Sequence, residues 1–290
     1  MLGDRGPGLV EAAPYIEQFR DRLVVVKLGG ELIDDGPVLE RIVPQVAVLA
    51  RVGLRPVLVH GGGRQVDQAC RDRGIEPVKH RGRRVTTPEV MEVLRDVVGG
   101  ALNRTIVDRL VREGVAARGF AEGVGDAVRC RLRPPTDEGG TSVDWGRVGD
   151  IVRIDPQPIL VDPGRPWVVP VLPSLGTLDD RSLVNVNADA VAARVAAELD
   201  AAKLVLMTGV PGVMQSMEDA GPISELTVEE ARGLFRSGVV SGGMRAKLEE
   251  ALRALEHGVP RVHILSGREP MTLLREIFTD EGCGTLVVPS

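Results

Sequence analysis

Short runs of apolar residues alternate along the chain with longer segments in which apolar residues recur every three or four positions. The runs consist largely of Val, Ile and Leu, which is typical of parallel strands covered by helices on both faces. Strand-like runs begin at Val24, Pro56, Trp167, Lys203, Arg261 and Thr285. Helical patterns cover about 8–20, 38–52, 64–74, 87–112, 187–200, 227–237, 243–257 and 269–278. This alternation predicts an α/β fold with a mostly parallel sheet between two layers of helices.

The middle of the chain, about 119–166, departs from this pattern. Its apolar runs are short and interrupted by Pro and Gly, as in AVRCRL from Ala127 and DIVRI from Asp150. Such runs favour antiparallel hairpins. No repeat, low-complexity segment or linker divides the chain into independent domains.

Composition narrows the function classes. The 290 residues are 43% hydrophobic and 27% charged, with a formal net charge of −5, as in an ordinary soluble globular protein. The negative net charge gives no reason to expect nucleic acid or an anionic membrane as partner. No run approaches the roughly 18 apolar residues of a membrane span. Cys70, Cys130 and Cys283 are odd in number and widely spaced, so they predict neither a disulfide framework nor a zinc site, and they favour a reducing cytoplasm.

Three consecutive glycines, Gly61, Gly62 and Gly63, follow the strand-like run from Pro56 and precede a helical pattern. Exposed N–H groups at such a turn, next to a helix N-terminus, form a site for anions such as phosphate. The alternative is a tight turn that requires glycine for its backbone alone. The segment is not a dinucleotide fingerprint, because Val66 stands where that motif needs glycine, and the chain has no P-loop motif.

A second strand end carries a lysine and another pair of glycines, Lys27, Gly29 and Gly30. A lysine near the end of an apolar strand is costly to bury unless an anion lies beside it. Alternatively, Lys27 is an edge residue whose ammonium group reaches water. If the anion interpretation holds, two glycine turns and one lysine converge on a polyphosphate.

Two further clusters stand at predicted helix starts. In NVNAD, Asn185 to Asp189, the asparagines are suited to capping and Asp189 to the first turn of a helix. In SGGMRAK, from Ser241, Gly242 and Gly243 open a helix that carries Lys247. A helix lysine is often simply solvated. The joint occurrence and order of all four clusters favour a common site.

These motifs, in this order and spacing, resemble the amino-acid kinase family over about residues 9–288. The matching segments are KLGG from Lys27, HGGG from His60, RVT from Arg84, NVNAD from Asn185, VPGV from Val210, GGM from Gly242 with Lys247, and FTDEGCGT from Phe278. Within the family, the chain is similar to the members that phosphorylate the γ-carboxylate of N-acetyl-L-glutamate in arginine biosynthesis. The resemblance implies a three-layer αβα sandwich with two lobes in one chain. We expect an N-terminal helix at 1–22, an acceptor-binding and dimerisation lobe at 23–180, and an ATP-binding lobe at 181–290.

The resemblance also implies roles for single residues. Lys27 and Lys247 would stabilise the transferred phosphoryl group, and Asp189 would hold both lysines in place. Gly61, Gly62, Gly63, Arg84 and Asn185 would bind the acceptor. The residues implied for ATP are Gly29, Gly30, Thr208, Gly209, Val210, Pro211, Gly212, Gly242 and Gly243. Mg²⁺ would be held by the ATP phosphates rather than by protein ligands.

The chain departs from the family pattern at several positions. Leu28 and Glu31 replace the usual Tyr or Phe and the usual Asn or Ser, and Gly209 replaces the aspartate that usually follows the threonine. The turn at 119–126 lacks the family's lysine and aspartate and carries Glu122 instead. An altered acceptor pocket is therefore an open alternative.

The ends of the chain resemble the arginine-inhibited, hexameric members of the family. The segment from Glu11 to Phe19 predicts an amphipathic helix suited to assembly, either of dimers or of a hexamer built from three dimers. The implied L-arginine site comprises Tyr15, Lys203, His263, Glu276, Gly282 and Gly284. The alternative is a helix that covers an apolar patch and a tight turn before the last strand.

Three hypotheses follow. The first is a kinase of N-acetyl-L-glutamate. The second is a family member that phosphorylates another small acidic acceptor, as Glu31 and the turn at 119–126 suggest. The third is a non-catalytic, arginine-sensing regulatory protein, although such a protein has no need to keep Lys27, Asp189 and Lys247 together.

Overall fold

The structure is a computed structural model that describes residues 6–80, 82–120, 127–137, 140, 142–160, 166–215 and 221–289. Its α-helices are α1 (Leu9–Phe19), α2 (Gly30–Ile33), α3 (Gly36–Arg51), α4 (Gly63–Asp72), α5 (Pro88–Leu94), α6 (Asn103–Arg112), α7 (Ala188–Glu198), α8 (Val228–Ser237), α9 (Gly242–Glu256) and α10 (Thr272–Phe278). A π-helix, Arg95–Leu102, connects α5 to α6.

The strands lie between these helices and in the middle of the chain. They are β1 (Leu23–Leu28), β2 (Arg55–His60), β3 (Lys79–His80), β4 (Arg83–Arg84), β5 (Ala117–Gly119), β6 (Val128–Leu132), β7 (Thr136–Asp137), β8 (Ser142–Val143), β9 (Gly149–Ile154), β10 (Val169–Pro173), β11 (Leu175–Thr177), β12 (Leu183–Asn185), β13 (Lys203–Thr208), β14 (Glu225–Thr227), β15 (Val262–Ser266) and β16 (Thr285–Val288).

The main sheet of the described chain has eight strands in the order β14-β16-β15-β13-β1-β2-β10-β5. Every neighbouring pair is parallel except β15 with β16, which is antiparallel. The predicted mostly parallel sheet is therefore confirmed. Because β1 pairs with β13, the sheet continues across the proposed lobe boundary near residue 180, and the domain boundaries stay a prediction.

Helices cover both faces of the sheet, as the alternation of side chains along each strand requires. Val25 of β1 packs with residues of α4, α5, α7, α8 and α9. Its neighbours Val24 and Val26 pack on the opposite face with α1, α3, α6 and α10. Two apolar cores on either side of one sheet make the three-layer αβα sandwich that the sequence predicts.

A smaller sheet, β12-β11-β6-β9, stands beside the main one and borders the site. Its strands β6 and β9 are antiparallel and contain the runs from Ala127 and Asp150 for which hairpins were predicted. The chain passes from β10 of the main sheet through Ser174 into β11 of the small sheet, and α7 begins at Ala188, shortly after β12.

Two predicted helices differ in detail from the structure. The pattern at 87–112 is interrupted by the π-helix, whose centre holds Gly99 and Gly100, two poor helix formers. The pattern at 269–278 starts late, because Met271 has a left-handed φ of 59° and α10 begins at Thr272. No helix in the described ranges is long and apolar enough to cross a membrane.

Candidate active site

Two glycine turns touch each other at the carboxyl ends of neighbouring strands. Leu28 of β1 is in register with His60 of β2, so the turns that follow them lie side by side. A Cβ added at Gly30 would lie 3.2 Å from the backbone nitrogen of Gly63. The close approach of the two backbones therefore favours glycine at residue 30. Because the first N–H groups of α4 have no partner within the helix, its start offers donors at this point. At α2 the N–H groups of Leu32 and Ile33 already donate to the carbonyl oxygen of Gly29.

The middle glycine of the triplet is fixed by packing rather than by backbone conformation. Gly62 has an extended φ of 177°. A Cβ there would lie 2.6 Å from Leu102 Cδ1 and 2.9 Å from Val98 Cγ2, both in the π-helix. The side chains of Val98 and Leu102 in the π-helix thus pack against the glycine turn.

A buried polar pair holds the start of the same turn. His60 Nδ1 lies 3.0 Å from the carbonyl oxygen of Gly61, and its Nε2 lies 3.0 Å from Nδ2 of Asn103. Burial lowers the pKa of His60 to about 4. The neutral ring therefore donates from Nδ1 to Gly61 and accepts from Asn103 at Nε2. Sequence reasoning missed Asn103, whose only signal is its place on the apolar face of α6 with Ile106 and Leu110.

Lys27, Asp189 and Lys247 meet beside the glycine turns. Asp189 Oδ1 lies 2.7 Å from Lys27 Nζ, and Asp189 Oδ2 lies 3.2 Å from Lys247 Nζ. All three side chains are buried. They reach this point from β1, the start of α7 and the second turn of α9, three elements distant in sequence. One carboxylate thus links two ammonium groups, and the roles assigned to the three residues stay predictions.

Burial and mutual contact set the protonation of this cluster. Burial opposes the charge on Asp189, but the two lysines outweigh it and lower the pKa of its carboxyl to about 2. Burial likewise opposes the charge on Lys27, but Asp189 raises the pKa of Lys27 above its usual value. Burial and the nearby charge of Lys27 lower the pKa of Lys247. Asp189 is therefore a fixed anion, and Lys247 holds its proton less tightly than Lys27.

A cleft of about 1210 Å³ opens in front of the cluster, between the small sheet and α9. Its lining includes several residues that the sequence singled out, namely Arg84, Asn185, Asp189, Gly242, Gly243 and Lys247. Asn185 donates from Nδ2 to Thr86 Oγ1 at 3.0 Å, which fixes its amide at the cleft wall. Arg84 on β4 and Asn185 on β12 therefore share one cavity with Asp189 and Lys247, whereas its described lining does not include Lys27 or the glycine triplet at 61–63.

Arg84 contacts Gly63, which the sequence singled out, and Asp67, which sequence reasoning missed. Its Nη1 forms an ion pair with Asp67 Oδ1 at 2.6 Å, although the angle is not that of a hydrogen bond. Its Nη2 donates to the carbonyl oxygen of Gly63 at 2.7 Å. Asp67 also accepts from Lys79 Nζ at 2.5 Å. Burial opposes the charge on Asp67, but Lys79 and Arg84 lower the pKa of its carboxyl overall. Asp67 thus ties the guanidinium of Arg84 to the helix that follows the glycine turn.

The residues implied for the nucleotide follow the end of β13. Thr208 Oγ1 and the backbone nitrogen of Gly209 both donate to Oε1 of Glu31, at 3.2 and 3.0 Å. A Cβ at Gly212 would lie 2.7 Å from Thr285 Oγ1, so glycine is needed for packing there. Val210 and Pro211 are exposed. The structure thus brings Thr208 and Gly209 next to the turn after β1. The contact is made by Glu31, which the sequence analysis noted only as a departure from the family pattern.

Two of the implied arginine-site residues lie at the amino ends of β13 and β15, the end of these strands opposite to the lysine cluster. Lys203 begins β13, and His263 is the second residue of β15. His263 Nδ1 lies 2.6 Å from Glu276 Oε1, and the backbone nitrogen of Cys283 donates to Glu276 Oε2 at 2.7 Å. The buried Nε2 of His263 has no hydrogen-bond partner among the described residues. Lys203, His263 and Glu276 therefore form one buried cluster, separate from the lysine pair.

The N-terminal helix joins this second cluster. Lys203 Nζ lies 4.8 Å from the ring centroid of Phe19 in α1. The hydroxyl of Tyr15 donates to Asp280, beside the turn that contains Gly282 and Gly284. Gly284 is required there because a Cβ would meet the carbonyl oxygen of Ile264. The turn at 119–126, with Glu122, lies outside the described residues from 121 onward.

Comparison with known proteins gives a consistent result. The sequence model of the amino acid kinase family matches residues 22–266. An acetylglutamate kinase of Synechococcus sp. (strain RCC307) is 42% identical over 285 residues, covering 97% of this chain and 93% of that protein. The structure of N-acetylglutamate synthase from Neisseria gonorrhoeae complexed with coenzyme A and N-acetyl-glutamate is similar, with a TM-score of 0.83 and 29% identity over 97% of this chain. The same synthase complexed with coenzyme A and L-arginine gives a TM-score of 0.79 at 28% identity over 97% of this chain. This chain spans 63% and 64% of those two synthase chains.

Proposed function

The chain belongs to the amino acid kinase family, and we propose that it transfers the γ-phosphoryl group of ATP to the side-chain carboxylate of N-acetyl-L-glutamate. The product is N-acetyl-L-glutamyl 5-phosphate, an intermediate of arginine biosynthesis. The observation that carries the proposal is the pair Lys27 and Lys247, linked by Asp189 at the wall of the cleft. Two buried ammonium groups next to two glycine turns suit a reaction that brings two anions together.

The reaction needs charge neutralisation rather than a base. The acceptor carboxylate is already ionised near pH 7, so its oxygen attacks the γ-phosphorus directly. A new P–O bond forms as the bond to the β,γ-bridging oxygen breaks, and ADP leaves with that electron pair. Lys27 and Lys247 stabilise the negative charge on the transferred group from two sides. Asp189, with a pKa of about 2, keeps both lysines in position and is too weak a base to move a proton.

The acceptor is gripped at the cleft wall. A guanidinium has five N–H donors, and the contacts of Arg84 with Asp67 and Gly63 leave donors for a second carboxylate. Arg84 binds the α-carboxylate of the acceptor, and Asn185 binds its N-acetylamino group. The glycine turn at 61–63 holds the reacting carboxylate near the two lysines.

The nucleotide occupies the side of the cluster formed by the ends of β1 and β13. The approach of Gly30 to Gly63 leaves a side-chain-free surface with backbone donors, which fits phosphate oxygens. In the described ranges, no group of three or more His, Cys, Asp or Glu side chains is placed to hold a metal ion. Mg²⁺ would be held by the phosphates of ATP rather than by protein side chains, and it would supply neutralisation of the phosphate charge.

The second cluster binds L-arginine as a feedback inhibitor. Burial lowers the pKa of His263, so its neutral Nε2 is a buried acceptor suited to an N–H group of the ligand. Burial opposes the charge on Glu276, but the bond from His263 lowers its pKa overall, so the ionised carboxylate attracts a cation. A structural neighbour complexed with L-arginine supports this assignment. Tyr15 and the glycines at 282 and 284 close the site from α1 and the last turn.

Assembly into a homo-oligomer is part of the same proposal. Helix α1 presents Leu9 and Val10 with 85% and 91% of their surfaces exposed, although both are large apolar residues. Such a face suits contact with other copies of the chain. Light scattering of the purified protein measures the mass, which we expect to correspond to a dimer or a hexamer.

A hydroxamate assay with MgATP tests the activity. We expect product with N-acetyl-L-glutamate and little with glutamate or aspartate. Product with another acid instead would favour the second hypothesis of the sequence analysis. ATP binding without product from any acceptor would favour the regulatory hypothesis. An ADP-release assay with uridylate, expected to be negative, completes the acceptor series.

A further inference from the structure

The side chain of Glu31 lies between the backbones of Gly29 and Gly209 and occupies space that a side chain at either position would enter. A Cβ added at Gly29 would lie 2.7 Å from Glu31 Oε1. One added at Gly209 would lie 3.2 Å from Glu31 Cγ and 3.4 Å from Arg268 Nε. The carboxylate of Glu31 therefore crowds a side chain at residue 29, and its Cγ, together with Arg268, crowds one at residue 209.

Neither glycine is required by its backbone conformation. Gly29 has φ −63° and ψ 146°, which any residue adopts. Gly209 is not among the glycines with positive φ. An alanine or aspartate would fit the dihedral angles of residue 29, and the φ of residue 209 does not require glycine. Crowding by the side chain of Glu31, rather than a backbone conformation restricted to glycine, is therefore what disfavours larger residues here.

Glu31 also joins two segments that approach ATP from different strands. Its Oε1 accepts from Gly209 N at 3.0 Å and from Thr208 Oγ1 at 3.2 Å, while its backbone belongs to the turn after β1. Burial opposes its charge, but backbone N–H groups and Lys27 lower the pKa of its carboxyl overall. The carboxylate is therefore ionised and fixed across the gap between the ends of β1 and β13.

We propose that Glu31 is a positioning residue for the nucleotide, which pins the loop at Thr208 and Gly209 against the phosphate-binding turn at 29–30. The inference rests on the proposed function. Glu31 and Gly209 are both positions at which the chain departs from its family's sequence pattern, and the structure makes them neighbours. The two departures are therefore coupled: the carboxylate at this place belongs to Glu31, just after β1, while residue 209 has no side chain.

Double-variant measurements test this coupling. Glu31→Ala should weaken MgADP binding, measured by titration calorimetry, about tenfold, because the loop loses its anchor. Glu31→Gln keeps an oxygen at the Oε1 position and should stay within about threefold of wild type. Asp34→Ala, at an exposed residue just after α2, is the matched control and should leave MgADP binding unchanged.

The reciprocal change should rescue the loss. In the wild-type background, Gly209→Asp crowds Glu31 Cγ and adds a like charge, so MgADP binding should weaken. In the Glu31→Ala background, Cγ is gone and Arg268 offers the new carboxylate a cation, so Gly209→Asp should restore most of the affinity. In steady-state kinetics, the variants that bind MgADP more weakly should have a higher KM for ATP, and the KM for the acceptor should stay unchanged in all of them.

The outcomes separate this inference from the proposed function. Additive effects of the two substitutions, or a Glu31→Gln variant as weak as Glu31→Ala, would overturn the pinning role. Melting temperatures of the nucleotide-free variants identify any that do not fold, and the Glu31→Gln comparison then decides. MgADP binding needs no acceptor, so a wild-type protein inactive on N-acetyl-L-glutamate refutes the proposed function while the coupling is still measured.

Discussion

Replacing Asp189 by asparagine should remove catalysis and weaken the fold together. The change keeps the size of the side chain but leaves Lys27 and Lys247 buried with no anion between them. The carboxyl pKa of about 2, against an ordinary 3.8, corresponds to about 2.5 kcal/mol of stabilisation of the ionised form. Breaking a buried ion pair from one side costs about 3–5 kcal/mol, since the remaining charges stay desolvated. We therefore expect a loss of about 3 kcal/mol in the free energy of unfolding at pH 7.

The effect on turnover has a separate physical origin. Without Asp189 the two ammonium groups repel each other and lose their fixed positions around the transferred phosphoryl group. Removing one such preorganised electrostatic element typically lowers kcat by about 10²–10³-fold. Turnover is measured by a coupled ADP-release assay, and stability by urea unfolding in the absence of ligands. A measured kcat within tenfold of wild type would refute the reasoning, whatever the stability.

An exposed carboxylate supplies the matched control. Asp96 also contacts two cations, Arg73 and Arg95, with its oxygens 3.0 and 3.1 Å from their nitrogens. Its side chain is 40% exposed, against 12% for Asp189. Asp96→Asn should therefore change the unfolding free energy by less than about 1 kcal/mol and leave kcat unchanged.

The pH dependence of stability gives a second check on the role of Asp189. The stabilisation from Asp189 is complete above about pH 4 and is lost as the pH falls through the folded-state pKa of about 2.

Three further predictions concern other parts of the chain. Asp67→Asn should raise the KM for N-acetyl-L-glutamate about tenfold and leave the KM for ATP unchanged, because Arg84 loses the anion that orients it; equal changes in both KM values would contradict this role. His263→Phe should abolish inhibition by millimolar arginine and leave the uninhibited kcat within about twofold, since it removes the buried acceptor Nε2; inhibition at wild-type concentrations would exclude the site. Burial lowers the pKa of Lys203 to about 8, so between about pH 8 and 10.5 only the unfolded state keeps this proton and stability rises with pH. Lys203→Met should flatten that rise of about 3 kcal/mol in urea unfolding curves, and an unchanged slope would show that Lys203 titrates normally.

The fold was predictable because most of its information is local. The runs from Val24 and Lys203 are buried along their whole length, so their unbroken apolar character identified them as central strands. Strand direction is less local. The antiparallel pairing of β15 with β16 depends on how α10 and the turn at Gly284 return the chain to the sheet, and no periodicity encodes that path. The π-helix likewise reflects packing of Val98 and Leu102 under Gly62, a contact between distant segments.

The site was predictable only where a residue type was unusual for its place. Lys27 stood out because a lysine is rare near the end of a buried strand, and the glycine triplet because three side chains were missing together. Asp67 and Asn103 did not stand out, since polar residues on helices are ordinary. Their importance comes from partners, and the partner of Asn103, His60, is 43 residues away in sequence. Glu31 was visible as a departure from a family pattern, but its contact with Gly209 spans 178 residues and needed the structure.

Strand β13 links the two clusters and constrains how an effector can act. Lys203 at its start lies in the proposed arginine site, and Thr208 at its end is bonded to Glu31. Five residue steps of a strand separate them by about 16 Å, so the two residues belong to separate sites. Inhibition therefore requires that the protein between the two ends prefer one arrangement with arginine and another with substrates. By thermodynamic linkage the effect is reciprocal. If bound arginine lowers the affinity for substrate by some factor, bound substrate lowers the affinity for arginine by the same factor.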